Sequence, residues 1–140
     1  MLYKDFLKDL TNCPFCEPER ERILENEHAY LTYARVPYHK HHLLVIPKRH
    51  AESLKDISKE EMLDINALEE KTLDILFKLG YKNISWLVRE GNTIDKSIKH
   101  VHFHIIPEIS LGDRNSHGDE REMLTESQVA EVLKEIKGAF

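Results

Sequence analysis

Apolar positions recur every three or four residues in two stretches of the chain, and this spacing predicts two helices. The longer helix begins after Ser58, because Ser58-Lys59-Glu60-Glu61 is a capping box, and Gly80 is a natural stop. The second helix begins near Thr125, where Thr125-Glu126-Ser127-Gln128 has the same capping pattern. The apolar positions of the two helices are Met62, Ile65, Leu68, Ile75, Leu76 and Leu79, then Val129, Val132, Leu133 and Ile136.

Four other stretches are rich in β-branched and aromatic residues and are predicted to be strands. They are residues 29–34, 42–47, 84–89 and 98–107, with a short fifth strand near 23–24. The order of strands and helices lacks the regular alternation of a parallel sheet. We therefore expect an α+β fold, with an antiparallel sheet of about five strands, one long helix and one C-terminal helix on one side. A length of 140 residues predicts a single domain over 1–140.

Composition narrows the class of protein. The chain is 41% hydrophobic and 32% charged, as in globular proteins, and it has no apolar run near the ~20 residues that span a bilayer. Its first ten residues mix charged with apolar side chains, unlike a signal peptide, so a cytoplasmic location and no membrane partner are expected. A net charge of −5 argues against nucleic-acid binding. Acidic runs, such as residues 60–70, are interpreted as solvated faces.

Three histidines alternate with apolar residues near the centre of the sequence. On a strand, His100, His102 and His104 would lie in a row on one face, ~7 Å apart, while the intervening residues enter the core. Such a row is poor for stability, because close imidazoles repel one another when protonated and must be desolvated. Imidazole is, however, a good nucleophile near neutral pH, and flanking imidazoles can bind phosphate oxygens or hold a metal.

The only two cysteines, Cys13 and Cys16, form a CxxC motif. A structural disulfide is not expected in a cytoplasmic protein. The two cysteines could bind zinc, act as a redox pair or remain unliganded thiols. A redox pair is typically found next to a βαβ unit, and the sequence predicts no such unit.

Two segments of the sequence carry a specific resemblance to a known family. The run His100-Val101-His102-Phe103-His104-Ile105-Ile106 resembles the histidine-triad pattern at every position, and His42-Leu43-Leu44-Val45-Ile46-Pro47-Lys48-Arg49-His50 resembles the family's upstream segment. The likeness covers roughly residues 13–107. It implies nucleotide binding, a covalent nucleotidyl intermediate on His102, and a phosphate site lined by His104 and His42. It also implies that Ser97 contacts the phosphate or the leaving group.

The resemblance further implies a cofactor and an assembly. Relatives with an N-terminal CxxC complete a tetrahedral zinc with two histidines, which correspond here to His50 and His100 beside Cys13 and Cys16. Four protein ligands would make this zinc structural. A homodimer is also implied.

The sequence departs from the family pattern before the triad. It has Asp95-Lys96-Ser97 where a Gly-Gln pair commonly precedes the Ser or Thr, and Arg89 where Asn is common. Lys96 and Arg89 would add positive charge beside the phosphates. The expected substrates are adenine nucleotides, with dinucleoside polyphosphates preferred over phosphoramidates.

The sequence therefore predicts a nucleotide hydrolase that releases a nucleoside monophosphate. A histidine at position 104, where transferase branches usually carry glutamine, favours hydrolysis. Two alternatives stay open: a metalloenzyme with catalytic zinc on the three strand histidines, and a nucleotide-binding or scaffold protein with little turnover. The remaining histidines, His28, His39, His41 and His117, are expected in turns or on the surface.

Overall fold

Five strands and two helices make up the fold of the computed structural model, which describes residues 2, 5, 12–16, 21–91, 98–109 and 121–140. In chain order they are β1 (Leu24–Glu25), β2 (Ala29–Tyr33), β3 (Leu43–Pro47), α1 (Lys59–Lys78), β4 (Ile84–Val88), β5 (Phe103–Pro107) and α2 (Glu126–Lys137). A short 3-10 turn, Leu54–Asp56, precedes α1. No helix in these ranges is long and apolar enough to cross a membrane.

The strands form one sheet in the order β1-β2-β3-β5-β4. Every neighbouring pair is antiparallel, including the pair of β3 with β5, in which Leu44 lies opposite His104. This confirms the predicted α+β fold with an antiparallel sheet of five strands. β5 lies inside the sheet and β4 lies at one edge.

The two faces of the sheet are covered differently. Both helices pack on one face, where they form the main core with side chains of β2, β3 and β5, such as Leu31, Val45 and Ile105. A smaller cluster on the opposite face contains Phe15, Tyr30, Ala34, Leu44 and Ile46. The predicted placement of the helices on one side of the sheet is confirmed.

Local signals set the helix ends as predicted. The Ser58 hydroxyl accepts from the Glu61 N–H at 3.1 Å, and the Glu61 carboxylate accepts from the Ser58 N–H at 2.9 Å. Thr125 and Gln128 form the same reciprocal pair at α2. Gly80 follows α1 at a φ of 96°, in the left-handed region that favours glycine.

The acidic run of α1 is not uniformly solvated, which corrects the sequence-based interpretation. Glu61 and Glu69 are each only 5% exposed. Glu61 pairs with Arg49 at 2.9 Å, and this hydrogen-bonded guanidinium lowers the Glu61 pKa to about 2. Burial raises the pKa of Glu69 to about 7, against an opposing hydrogen bond from the Trp86 side chain. The helical spacing that turns Ile65 and Leu68 inward also turns these two carboxyls inward.

The prediction of a strand over 98–107 is wrong in its first half, since β5 begins at Phe103. The His100 N–H donates to the Ile98 carbonyl at 2.9 Å, and the Val101 N–H donates to the Ala51 carbonyl at 2.8 Å. These turn and loop contacts replace sheet hydrogen bonds, so the three alternating histidines do not form one row on a strand.

Candidate functional site

Three imidazoles meet on the face of the sheet opposite the helices. His104 projects from β5, and His42 immediately precedes β3. The ring centroids of His42 and His104 are 5.1 Å apart, and those of His104 and His102 are 4.8 Å apart. The cluster that forms is therefore His42, His104 and His102, whereas the side chain of His100 lies elsewhere.

A chain of hydrogen bonds assigns the tautomers of two of these histidines. The Tyr38 backbone N–H donates to His42 Nδ1 at 3.2 Å, so a neutral His42 carries its proton on Nε2. His42 Nε2 then donates to His104 Nδ1 at 2.9 Å, which leaves the His104 proton on Nε2. His104 can therefore offer an N–H donor to a phosphate oxygen.

Charge and burial keep both histidines neutral near pH 7. Burial lowers the pKa of His42 well below its usual value, and electrostatic interactions with Arg121, His102 and Arg89 lower it further. Burial likewise dominates the lowered pKa of His104, with further contributions from His102, His42 and the same two arginines. The site is thus electropositive even though the protein is acidic, which suits an anionic ligand.

The orientation of His102 is set by a neighbouring carbonyl. Its Nδ1 donates to the His100 backbone oxygen at 2.6 Å. This bond fixes the tautomer in which Nε2 has a lone pair and no proton. Such an imidazole can act as a nucleophile without a separate base.

The CxxC segment contacts the same ring. Phe15, between the two cysteines, lies with its ring centroid 4.9 Å from that of His102. The Tyr30 hydroxyl donates to the Phe15 carbonyl at 2.5 Å, which fixes the segment to β2. Phe15 was not predicted as a site residue, because its only signal in the sequence was its place within the CxxC motif.

His100 lies beside the two cysteines and His50. The Cys13 Sγ and Cys16 Sγ atoms lie 3.3 and 3.4 Å from His100 Nδ1, and Cys16 Sγ lies 3.2 Å from His50 Nδ1. One ligand atom from each of the four residues lies within 4.8 Å of all the others. Bonds of ~2.0–2.3 Å to a tetrahedral zinc would put neighbouring ligand atoms about 3.5 Å apart.

The outer nitrogens of the two histidines also suit a metal site. His100 Nε2 is 2.8 Å from the Pro47 carbonyl oxygen, and His50 Nε2 is 3.2 Å from a Glu52 carboxylate oxygen. Donation from each Nε2 leaves the lone pair on the Nδ1 that faces the thiols, as in most metal-binding histidines. The two sulfurs and two imidazole nitrogens can therefore hold zinc.

The other predicted residues have varied positions. Arg89 follows β4, close enough to act electrostatically on His42 and His104. Ser97, Lys96 and His117 lie outside the described residues.

The expectation that His41 is a solvated turn residue is wrong. It is 3% exposed, with Nε2 2.8 Å from a Glu135 carboxylate oxygen and Nδ1 2.5 Å from the Tyr81 hydroxyl oxygen. These contacts tie the turn before β3 to α2 and to the segment that follows α1. No local pattern predicts these contacts, because both partners are distant along the chain.

Arg121 was also not predicted as a site residue, because it lies within residues 110–122, whose sequence suggests a long loop. Its Cζ lies 3.7 Å from the centroid of the Tyr38 ring, and the Tyr38 and His42 rings stack at 6.0 Å between centroids. A second arginine thus reaches the histidine cluster from the C-terminal part of the chain.

Comparison with known proteins places this geometry in a family. Residues 16–110, more than half of the chain, match the HIT domain. The chain belongs to the HIT domain family. An uncharacterized HIT-like protein from Methanocaldococcus jannaschii is 32% identical to this HIT protein over 132 residues, which cover 90% of this chain and 99% of the relative.

Several relatives have names that state an activity, among them the following two. An adenosine 5'-monophosphoramidase from Schizosaccharomyces pombe is 39% identical over 71 residues, 51% of each chain. A bis(5'-adenosyl)-triphosphatase from Dictyostelium discoideum is 31% identical over 67 residues, 47% of this chain and 45% of the relative. The alignments thus span about half of these two enzymes.

Solved structures show the same fold. A histidine triad nucleotide-binding protein from Sulfolobus tokodaii, described as hypothetical, has a TM-score of 0.74 at 22% identity, over 91% of each chain. A Zn-bound histidine triad family protein from Mycobacterium smegmatis has a TM-score of 0.70 at 22% identity, over 91% of this chain and 92% of that one.

Proposed function

We propose that this HIT protein is a nucleotide hydrolase that works through a covalent nucleotidyl intermediate on His102. The observation that carries the proposal is the hydrogen bond from His102 Nδ1 to the His100 carbonyl oxygen, at 2.6 Å. It leaves Nε2 as the nucleophilic nitrogen, beside a neutral His104 whose outer N–H can bind a phosphoryl oxygen.

The reaction has two steps. In the first, His102 Nε2 attacks the α-phosphorus of a nucleotide, a P–N bond forms, and the bond to the leaving group breaks with its electron pair on the departing atom. A polyphosphate departs as an anion, and an amine takes a proton from solvent. In the second, water attacks the same phosphorus, the P–N electron pair returns to His102, and the water proton passes to solvent. A nucleoside monophosphate is released.

The surrounding side chains stabilise charge on the phosphoryl group. His104 donates from Nε2, and His42 holds that tautomer from behind. Arg89 supplies positive charge. Ser97 and Lys96 are proposed to contact the phosphate or the leaving group. Hydrogen bonds and charges aimed at a developing anion are a main source of catalytic rate.

Zinc in this proposal is structural, held by Cys13, Cys16, His50 and His100. Four protein ligands leave no position for a substrate or a water. His100 supplies its side chain to the metal and its carbonyl to His102, so the site orients the nucleophile. The alternative of a catalytic zinc on the three alternating histidines is disfavoured, since His100 faces the thiols.

The proposed substrates are adenine nucleotides: a nucleoside phosphoramidate, a dinucleoside polyphosphate or both. Support comes from the names of the two partly aligned relatives and from the electropositive cluster. A net charge of −5 disfavours a nucleic-acid partner. We further propose that residues 1–140 act as one domain without a membrane partner, and that the protein is cytoplasmic, where thiols stay reduced for zinc.

A homodimer is proposed from the edge of the sheet. Among the residues that the structure describes, β4 has a sheet neighbour on one side only, β5, and its Trp86 side chain is 57% exposed. An open strand edge and an exposed indole are typical of a surface that a second copy covers.

Intact-protein mass spectrometry tests the mechanism. The wild type, His102→Ala and a matched control, His28→Ala, are mixed briefly with an adenosine phosphoramidate or a diadenosine polyphosphate and quenched without acid. We expect an adenylyl adduct on the wild type and on His28→Ala, where the altered residue pairs with Asp64 outside the cluster, and none on His102→Ala. Turnover that persists in His102→Ala would mean that His102 is not the nucleophile. Nucleotide binding without adduct or turnover in the wild type would favour a binding or scaffold protein.

A further inference from the structure

Arg121 is a positively charged side chain at the histidine cluster to which the mechanism above gives no role. Its guanidinium carbon lies 3.7 Å from the centroid of the Tyr38 ring. Tyr38 is itself fixed to the cluster, because its backbone N–H donates to His42 Nδ1 and its ring stacks on the His42 ring at an interplanar angle of 25°. Successive contacts thus link Arg121 to Tyr38, Tyr38 to His42, and His42 to His104. The positive charge lies at the Arg121 end, and the imidazole proposed to bind phosphate, His104, lies at the other.

This stacking suits phosphate binding. A guanidinium that lies on an aromatic ring uses its flat face for that contact, while its N–H groups point outward in its own plane. Those in-plane groups form paired hydrogen bonds with two oxygens of a phosphate. Stacking also reduces the number of conformations that the long side chain loses when a ligand binds.

The electrostatic field at the histidine cluster is positive, which suits a negatively charged phosphate. Arg121 acts on both His42 and His104, and Arg89 acts on the same pair from the end of β4. Two arginines on one cluster supply more positive charge than the single negative charge of a nucleoside phosphoramidate requires. The bridging phosphates of a dinucleoside polyphosphate carry the additional negative charges that would balance it.

We propose that Arg121 is a specificity-determining residue that binds a phosphate of the leaving group, so that the site favours nucleotides whose leaving group is a polyphosphate over those that release an amine. The inference rests on the proposed nucleotide hydrolysis and deepens it, since it assigns a substrate class to one residue. In this proposal Arg121 contacts the leaving group and not the transferred phosphoryl group, so its removal affects the polyphosphate class of substrate more than the amine class.

The test compares kcat/KM for diadenosine triphosphate and for adenosine 5'-phosphoramidate. It uses the wild type, Arg121→Gln, Arg121→Met and Arg121→Lys. Methionine keeps the aliphatic contact with Tyr38 without the charge, and lysine keeps the charge without the planar fork. The matched control is Lys137→Gln, which removes one positive charge from the far end of α2, where Lys137 pairs with Glu21.

Loss of one charge-assisted contact predicts that kcat/KM for the triphosphate falls about 10-fold or more in the glutamine and methionine variants. The phosphoramidate value should change less than about 3-fold, lysine should restore part of the loss, and Lys137→Gln should match the wild type for both substrates. Thermal unfolding of each variant identifies any that fail to fold, in which case the other neutral variant decides.

Equal losses for both substrates, or no loss for either, would overturn the role of Arg121 while leaving nucleotide hydrolysis in place. A wild type that cleaves neither substrate would overturn the proposed hydrolysis and, with it, this inference. The two failures are therefore distinguishable in one set of measurements.

Discussion

Replacement of Glu69 by glutamine should change how the stability of the protein depends on pH. Glu69 is buried on α1, and its Oε2 has no hydrogen-bond partner among the described residues. Burial raises its pKa from the ordinary 4.5 to about 7. The folded protein therefore holds a proton on this carboxyl over a pH range in which the unfolded chain has released it.

The direction of the effect follows from proton linkage. Below pH 4.5 the carboxyl is protonated in both states, and its contribution to stability is fully present. As pH rises towards about 7 the folded state binds more protons than the unfolded state, so the free energy of unfolding falls. Above that range both states are ionised and the contribution is lost. At about 1.4 kcal/mol per pH unit, the loss amounts to roughly 3 kcal/mol.

Glutamine has nearly the same shape and no proton to lose. We expect Glu69→Gln to gain roughly 2–3 kcal/mol relative to the wild type between pH 5 and pH 8. Urea unfolding at pH 5, 6, 7 and 8, at one protein concentration with zinc held constant, measures the difference. The matched control is Glu70→Gln, an exposed neighbour on the same helix. Wild-type and Glu69→Gln curves that stay parallel from pH 5 to pH 8 would refute the reasoning.

Two further predictions concern the metal site and a helix end. Cys16→Ser should reduce the bound zinc from near one equivalent per chain, as measured by atomic emission, and should lower the thermal midpoint by on the order of 5 °C; a variant that keeps its zinc and its midpoint would show that Cys16 is not a ligand. Ser58→Ala should lower the free energy of unfolding by about 1 kcal/mol, because the hydroxyl accepts from the Glu61 N–H. Ser127→Ala, an exposed serine in the first turn of α2, should change it little, and equal losses in both variants would contradict the cap assignment.

The helices could be predicted from the sequence because their signals are local. Capping residues, apolar spacing and a terminal glycine all lie within a few positions of the backbone they control, so Ser58 and Gly80 suffice to place α1. The backbone of residues 98–102, just before β5, could not be predicted in the same way. Alternation at residues 98–102 is compatible with a strand, but contacts with Ala51 and Pro47, distant in sequence, determine the backbone there.

The grouping of side chains at the candidate site could be predicted where they repeat a pattern, and could not be predicted where they meet across the chain. His102, His104, His42 and the four zinc-type ligands follow from motifs, and the structure brings each set together. Arg121 and Tyr38 belong to no motif, because their stacking depends on the path of the chain before α2. The burial of His41 depends in the same way on Glu135, which α2 brings to it.

The alternation of core and site residues along β5 limits which substitutions this strand can accept during evolution. Phe103 and Ile105 fill the core beneath the helices, while His104, between them, faces His42 in the histidine cluster. A change in volume at either neighbour shifts the backbone that carries the imidazole, and interiors transmit such shifts because they are close-packed. Core positions on β5 are therefore expected to accept fewer substitutions than equally buried positions on α2, such as Val132, whose backbone carries no part of the histidine cluster.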